Sequence, residues 1–219
     1  MTNYNLEVTS IFPLSKNKPR QVIILFHGYG GDGKDISLIT YNWKRFLKNT
    51  IFLCPDAHQQ CLINPNGYQW FDLSRDDPKY ILEESLKAEE KVNEFIKEVQ
   101  QKYNLDKSNI SISGFSQGCM MSINVGLCSN EKFNSIIGFS GKIIDKKNLS
   151  LRIKSKTNIL LIHGDSDQVV PPSSLLDAKD FFLRHKIIIF TKMLQNCDHH
   201  KPIEASSLAL DFIKKNIKK

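Results

Sequence analysis

Five residues, Gly114-Phe115-Ser116-Gln117-Gly118, hold one serine between two glycines. The residues just before them alternate β-branched and small side chains, and those just after read as a helix. A strand that turns directly into a helix strains the residue at the turn and brings chain close on both sides of it. Glycines at 114 and 118 remove the side chains that would clash. The serine hydroxyl then stands above the strand ends, and the N–H of Gln117 faces any oxyanion formed beside it. The chemistry this suits is nucleophilic acyl transfer. A hydroxyl is a weak nucleophile near neutral pH, so it needs a basic nitrogen, and the base needs an orienting carboxylate. Behind such an elbow the order along the chain is serine, acid, histidine. "HGDSDQVVPP" (163–172) offers Asp165 and Asp167, and "QNCDHHKPIEA" (195–205) offers His199 and His200. Spacing alone leaves both choices open. A second oxyanion donor is expected from "LFHGYGGDGKD" (25–35), as the N–H of Tyr29. Its glycines lack the dinucleotide spacing, and no P-loop Lys-Ser/Thr follows, so a phosphate cradle is disfavoured.

These segments need a scaffold that delivers each to one rim. Short apolar runs at 6–12, 21–28, 50–57, 109–115, 133–141, 158–165 and 186–193 read as strands. Between them, helical patterns occupy 35–49, 78–103, 117–128, 173–185 and 203–217, with Pro78 starting the longest. Residues 58–78 carry Asn, Pro, Gly and Asp and read as a long loop. Strands apolar on both faces, alternating with helices, predict a doubly wound α/β fold with a mostly parallel sheet and helices on both faces. In such sheets a site lies beyond the carboxyl ends of the strands. Ser116, both acids and both histidines all fall there.

The chain has 219 residues, 41% hydrophobic and 24% charged, which fits one globular domain over 1–219. The start lacks a basic region followed by an apolar core, and no apolar run approaches the roughly 20 residues of a membrane span. The five cysteines, at 54, 61, 119, 128 and 197, are odd in number and irregular in spacing, with no CxxC. Reduced thiols in a cytoplasmic protein are expected, and no structural zinc. Neither Cys119 nor Cys197 occupies the elbow, which disfavours a cysteine nucleophile. The net charge of +7 comes from lysines spread along the chain, densest in "KKNIKK" at 214–219, where cations suit a helix C-terminus. A solvated surface is expected rather than a nucleic-acid partner.

"LFHGYGGDGKD", "WFDL" at 70–73, "SISGFSQG", "HGDSDQVVP" and a histidine followed five residues later by Glu204 together resemble the acyl-protein thioesterase / phospholipase–carboxylesterase family of α/β-hydrolases. The resemblance spans nearly the whole chain. It implies the α/β-hydrolase fold, no metal or organic cofactor, and cleavage of carboxylic esters and thioesters, including acyl chains on protein cysteines and on lysophospholipids. It places the acid at Asp167 and the base at His199, with Ser116 as nucleophile and the N–H groups of Tyr29 and Gln117 as oxyanion donors. The expected partner is a small-molecule or lipid ester or thioester, or an acylated protein, met by a monomer or homodimer. Leu62, Ile63, Trp70, Phe71 and Leu73 are expected to line the acyl site. The sequence departs from the family at Cys119, where another glycine is common, at His200, and in the loop 58–69. The alternatives are a small-molecule carboxylesterase without protein substrates and, of another class, an inactive binding module that keeps the fold.

Overall fold

The apolar runs become a seven-stranded sheet. In the computed structural model, which describes residues 4–217, the strands are β1 (Val8–Ile11), β2 (Gln21–Phe26), β3 (Thr50–Pro55), β6 (Ile110–Phe115), β7 (Ser135–Phe139), β8 (Ile159–Gly164) and β9 (Ile189–Leu194). Two residue pairs, β4 (Gln59–Gln60) and β5 (Tyr68–Gln69), form a separate small ladder. The large sheet runs in the order β1-β3-β2-β6-β7-β8-β9. Only β1 pairs antiparallel; every other neighbour is parallel. The sheet is therefore mostly parallel, as expected.

The helices are α1 (Gly33–Ser37), α2 (Thr40–Trp43), α3 (Pro78–Tyr103), α4 (Gln117–Cys128), α5 (Lys146–Arg152), α6 (Ser173–Arg184) and α7 (Ile203–Asn216). The period-2 pleat of a strand sends alternate side chains to opposite faces. Val22, Ile24 and Phe26 of β2 join a core with α3, α4, α5 and α6. Ile23 and Leu25 join a second core with α1, α2 and α7. The sheet is thus covered on both sides.

Several expectations shift. Helix α3 matches its predicted ends because Asp77 caps it through Lys79 and Tyr80 N–H and Pro78 sits in its first turn. The helix expected over 35–49 is instead two short pieces. Ser37 and Thr40 hydroxyls take the carbonyls of Lys34 and Ser37, and the intervening N–H groups tighten to three-residue bonds. Helix α5 was not anticipated; Asp145 caps it through Asn148 N–H. Strands β1 and β9 are shorter than the runs that suggested them, and β9 starts three residues late. Lys218 and Lys219, the end of the basic run, lie outside the described residues. No helix among the described residues is long and apolar enough to cross a membrane.

Candidate active site

Strand β6 ends at Phe115 and α4 begins at Gln117, so Ser116 alone makes the turn. Its backbone stands at φ 53°, ψ −116°, a conformation that costs a side-chain-bearing residue about 1–3 kcal/mol. The neighbouring glycines make the turn possible. A Cβ on Gly114 would lie 2.2 Å from the carbonyl of Gly118, and one on Gly118 would lie 2.2 Å from the carbonyl oxygen of Phe26. The turn is pinned where Ser116 N–H donates to Phe139 O at 2.8 Å and Met120 N–H donates to Ser116 O at 3.2 Å.

Above this turn the later loops deliver an imidazole and a carboxylate. Ser116 Oγ lies 2.9 Å from Nε2 of His199, and Nδ1–H of His199 donates to Asp167 Oδ2 at 2.7 Å. The carboxylate accepts the hydrogen bond from Nδ1–H, a tautomer that leaves the Nε2 lone pair facing the serine hydroxyl. Asp167 Oδ1 accepts from the N–H groups of Val169 and Val170 at 2.9 and 2.8 Å. Burial pushes the Asp167 carboxyl upward, but the bonds from His199, Val170 and Val169 outweigh it and leave it below the usual range. Buried His163 completes the acid's surroundings. Its Nε2–H donates to Val170 O at 2.9 Å and lies 3.2 Å from Asp167 Oδ2.

The two open choices of residue separate cleanly. Asp165 accepts from Ser166 Oγ and from Cys197 N–H, and makes no bond to His199. His200 pairs with Asp198 on the exposed side of the loop. The thiols stand apart. Cys119 is buried beneath the turn, and desolvation pushes its thiol up to about 12. Burial also raises the Cys197 thiol.

On the other side of Ser116, the loop after β2 is clamped from within. His27 Nδ1–H donates to Gly28 O at 2.7 Å, and its Nε2 accepts from Ala57 N–H at 3.0 Å. The indole of Trp70 donates to His27 O at 3.0 Å, and Asn64 donates to Gly30 O at 2.7 Å. Among the described residues, neither Tyr29 N–H nor Gln117 N–H donates to a protein acceptor. Gln117 also contributes its side chain, which sequence reasoning missed. Its Oε1 accepts from Trp70 N–H at 2.8 Å and its Nε2 donates to Phe71 O at 2.7 Å.

The expected acyl-lining residues divide. Trp70 and Phe71 are fully buried in the core, so they offer no surface to a substrate. The reason is that Trp70 has a task inside: its ring packs on Phe26 and His27 while its N–H holds the loop. Leu62, Ile63 and Leu73 do reach solvent, at 65%, 74% and 40% exposure.

Known proteins share this arrangement of chain. The family model for phospholipase/carboxylesterase matches residues 10–217. Acyl-protein thioesterase 1 of Kluyveromyces lactis is 27% identical over 220 residues, which cover 93% of this chain and 96% of that one. Acyl-protein thioesterase 1 of Saccharomyces cerevisiae is 29% identical over 178 residues, covering 74% and 77%. The crystal structure of esterase PE8 superimposes with a TM-score of 0.92 at 31% identity, covering 97% of this chain and 99% of that one. A Bacillus cereus carboxylesterase, at 14% identity and a TM-score of 0.79, shares the fold. With a match that runs almost end to end, the chain belongs to the phospholipase/carboxylesterase family of α/β-hydrolases.

Proposed function

We propose that this protein is a serine hydrolase of carboxylic esters and thioesters, carried by a single domain, cytoplasmic and without a cofactor. The observation that carries the reading is the line of short contacts from Ser116 Oγ through His199 to Asp167, beside two unengaged N–H groups. Ser116 Oγ attacks the acyl carbon while its proton passes to His199 Nε2. The carbonyl electron pair moves onto oxygen, which Tyr29 and Gln117 N–H receive; one such donor is worth roughly 10²–10³ in rate. Asp167 holds the imidazole tautomer and stabilises the imidazolium. The C–O or C–S bond then breaks, and the leaving alcohol or thiol takes the proton from Nε2. Water, deprotonated by the same nitrogen, adds to the acyl carbon; the bond to Ser116 Oγ breaks, Oγ takes the proton back from Nε2, and the acid leaves. Acylated protein cysteines are the substrate that the curated relatives' name suggests.

The second reading, a carboxylesterase of small esters without protein substrates, draws support from the burial of Trp70 and Phe71, which removes the largest part of the anticipated acyl surface. Turnover of a palmitoylated peptide against a short aryl ester separates the two. For either, a fluorophosphonate probe should label the wild type at Ser116, and Ser116→Ala should lose both labelling and turnover. Purified Ser116→Ala that keeps activity within tenfold of wild type would overturn the assignment.

A further inference from the structure

Lys201 follows the base by two residues, and the mechanism has no use for it. Its Nζ lies 3.7 Å from the centre of the Phe115 ring. That ring in turn lies 4.8 Å from the ring of His199. The ammonium and the imidazole thus pack on one shared aromatic ring. Lys201 forms no ion pair among the described residues, although other lysines here pair with carboxylates. Burial holds its ammonium below the usual lysine range, partly offset by the Asp35 carboxylate. A half-buried cation packed on an aromatic face, near a carboxylate but in no ion pair with it, is in a position that an arriving anion would relieve.

Two adjoining cavities show where the anion would come from. One, of about 240 Å³, has Lys201 in its wall together with Tyr29, Gly30, Asp35 and Phe115. The second, of about 440 Å³, shares Lys201 and Asp35 and adds Leu38, Ile39 and Ile203. Tyr29 carries the N–H assigned to the oxyanion, so a substrate whose carbonyl rests there has Lys201 facing the same space. Leu38 and Ile203 supply apolar surface beyond it.

We propose that Lys201 is a specificity residue that receives a carboxylate carried by the ester substrate, so that monoanionic esters are the preferred class. The inference rests on the hydrolase reading above. Asp35, which lines the same two cavities, argues for a single charge, because a dianionic phosphate there would be repelled more strongly.

The test uses two matched pairs of esters. p-Nitrophenyl hemiadipate against p-nitrophenyl hexanoate places the charge on the acyl side. 4-Butyryloxybenzoate against its methyl ester places it on the leaving side. Lys201→Met keeps the aliphatic stem and removes the charge; Lys201→Arg keeps the charge. For at least one pair, Lys201→Met should lower kcat/KM of the anionic member about tenfold, as loss of a charged contact implies. The neutral member should move less than twofold, and Lys201→Arg should retain the preference. The neutral esters also report that the variant is folded. If both members of both pairs move together, the subsite is refuted while the hydrolase reading stands. If the wild type turns over none of the four, the hydrolase reading has failed and takes this inference with it.

Discussion

Replacing Gln117 should destabilise the fold more than it harms the chemistry of molecules that remain folded. The side chain is completely buried, and each end of its amide meets a backbone group of the 70–71 segment. Gln117→Met is close in volume and apolar, so it leaves no large cavity but strands Trp70 N–H and Phe71 O. A buried polar group without a partner costs about 1–3 kcal/mol, so the two together cost about 2–6 kcal/mol. For a chain of this size each kcal/mol lowers Tm by roughly 2–4 °C, which puts the fall near 10 °C. Gln117→Ala adds a void and should fall further. Both Trp43 and Trp70 are buried, so intrinsic fluorescence in a urea titration follows unfolding directly. The backbone N–H assigned to the oxyanion is unchanged by either substitution. Labelling by a fluorophosphonate well below Tm should therefore persist, slowed by loosening of the loop that Trp70 holds. A Gln117→Met protein within 1 kcal/mol of wild type would refute the reasoning and show that the two peptide groups find other partners.

The other predictions concern the acid, the histidines and the substrate. Asp167→Asn should lower kcat by roughly 10⁴ through loss of the correct tautomer, and Asp165→Asn by less than tenfold; His199→Ala and His200→Ala should divide in the same way in a p-nitrophenyl ester assay. His27 titrates abnormally: burial lowers its pKa against the opposing pull of Gly28 O and Asp56. The unfolded chain binds a proton near pH 6.5 that folded His27 refuses, so stability is full above that pH and declines as pH falls toward the folded pKa. Urea titrations between pH 7 and pH 5 should show this decline flattened in His27→Gln; His58, whose pKa is also lowered first by burial, adds to the slope that remains, and Asp56, whose carboxyl burial raises, opposes it; an unchanged slope would count against the assignment. If Leu62, Ile63 and Leu73 cover one side of an acyl chain, about half of the ~0.8 kcal/mol per methylene is available, or roughly twofold each. kcat/KM should rise from acetyl toward about octanoyl and then level off, as a detergent-free ester series would reveal; a steady fall from acetyl would favour the small-ester reading.

Much of this site could be read before any coordinates, because its chemistry sits at strand ends and strand ends are marked by apolar runs that stop at glycine or aspartate. Ser116 announced itself through the two glycines it requires. Choosing Asp167 over Asp165 was beyond spacing and came from family resemblance. Its physical basis is a tight turn whose Val169 and Val170 N–H groups point at one carboxylate only. The burial of Trp70 and Phe71 is not legible in composition, which says that a residue is apolar, not which way it faces. The clamp by Gln117 was illegible for a related reason: nothing in the chain says that an amide will meet a peptide group 46 and 47 residues away. Helix α5 escaped notice since "KKNLSLR" buries only Leu149, too little for a periodic signal.

The two cores on opposite sides of the sheet have a bearing on what an activity measurement reports. Ser116, the proposed nucleophile, stands just before α4, which belongs to one of them. His199, the proposed base, arrives on the loop that leads into α7, which belongs to the other. A contact of 2.9 Å between Ser116 and His199 therefore spans both layers and exists only while each is in register with the sheet. Turnover acts as a coincidence detector for the whole molecule. Should one layer loosen ahead of the other on heating or in denaturant, ester cleavage would disappear with the first, while circular dichroism still recorded the helices of the second.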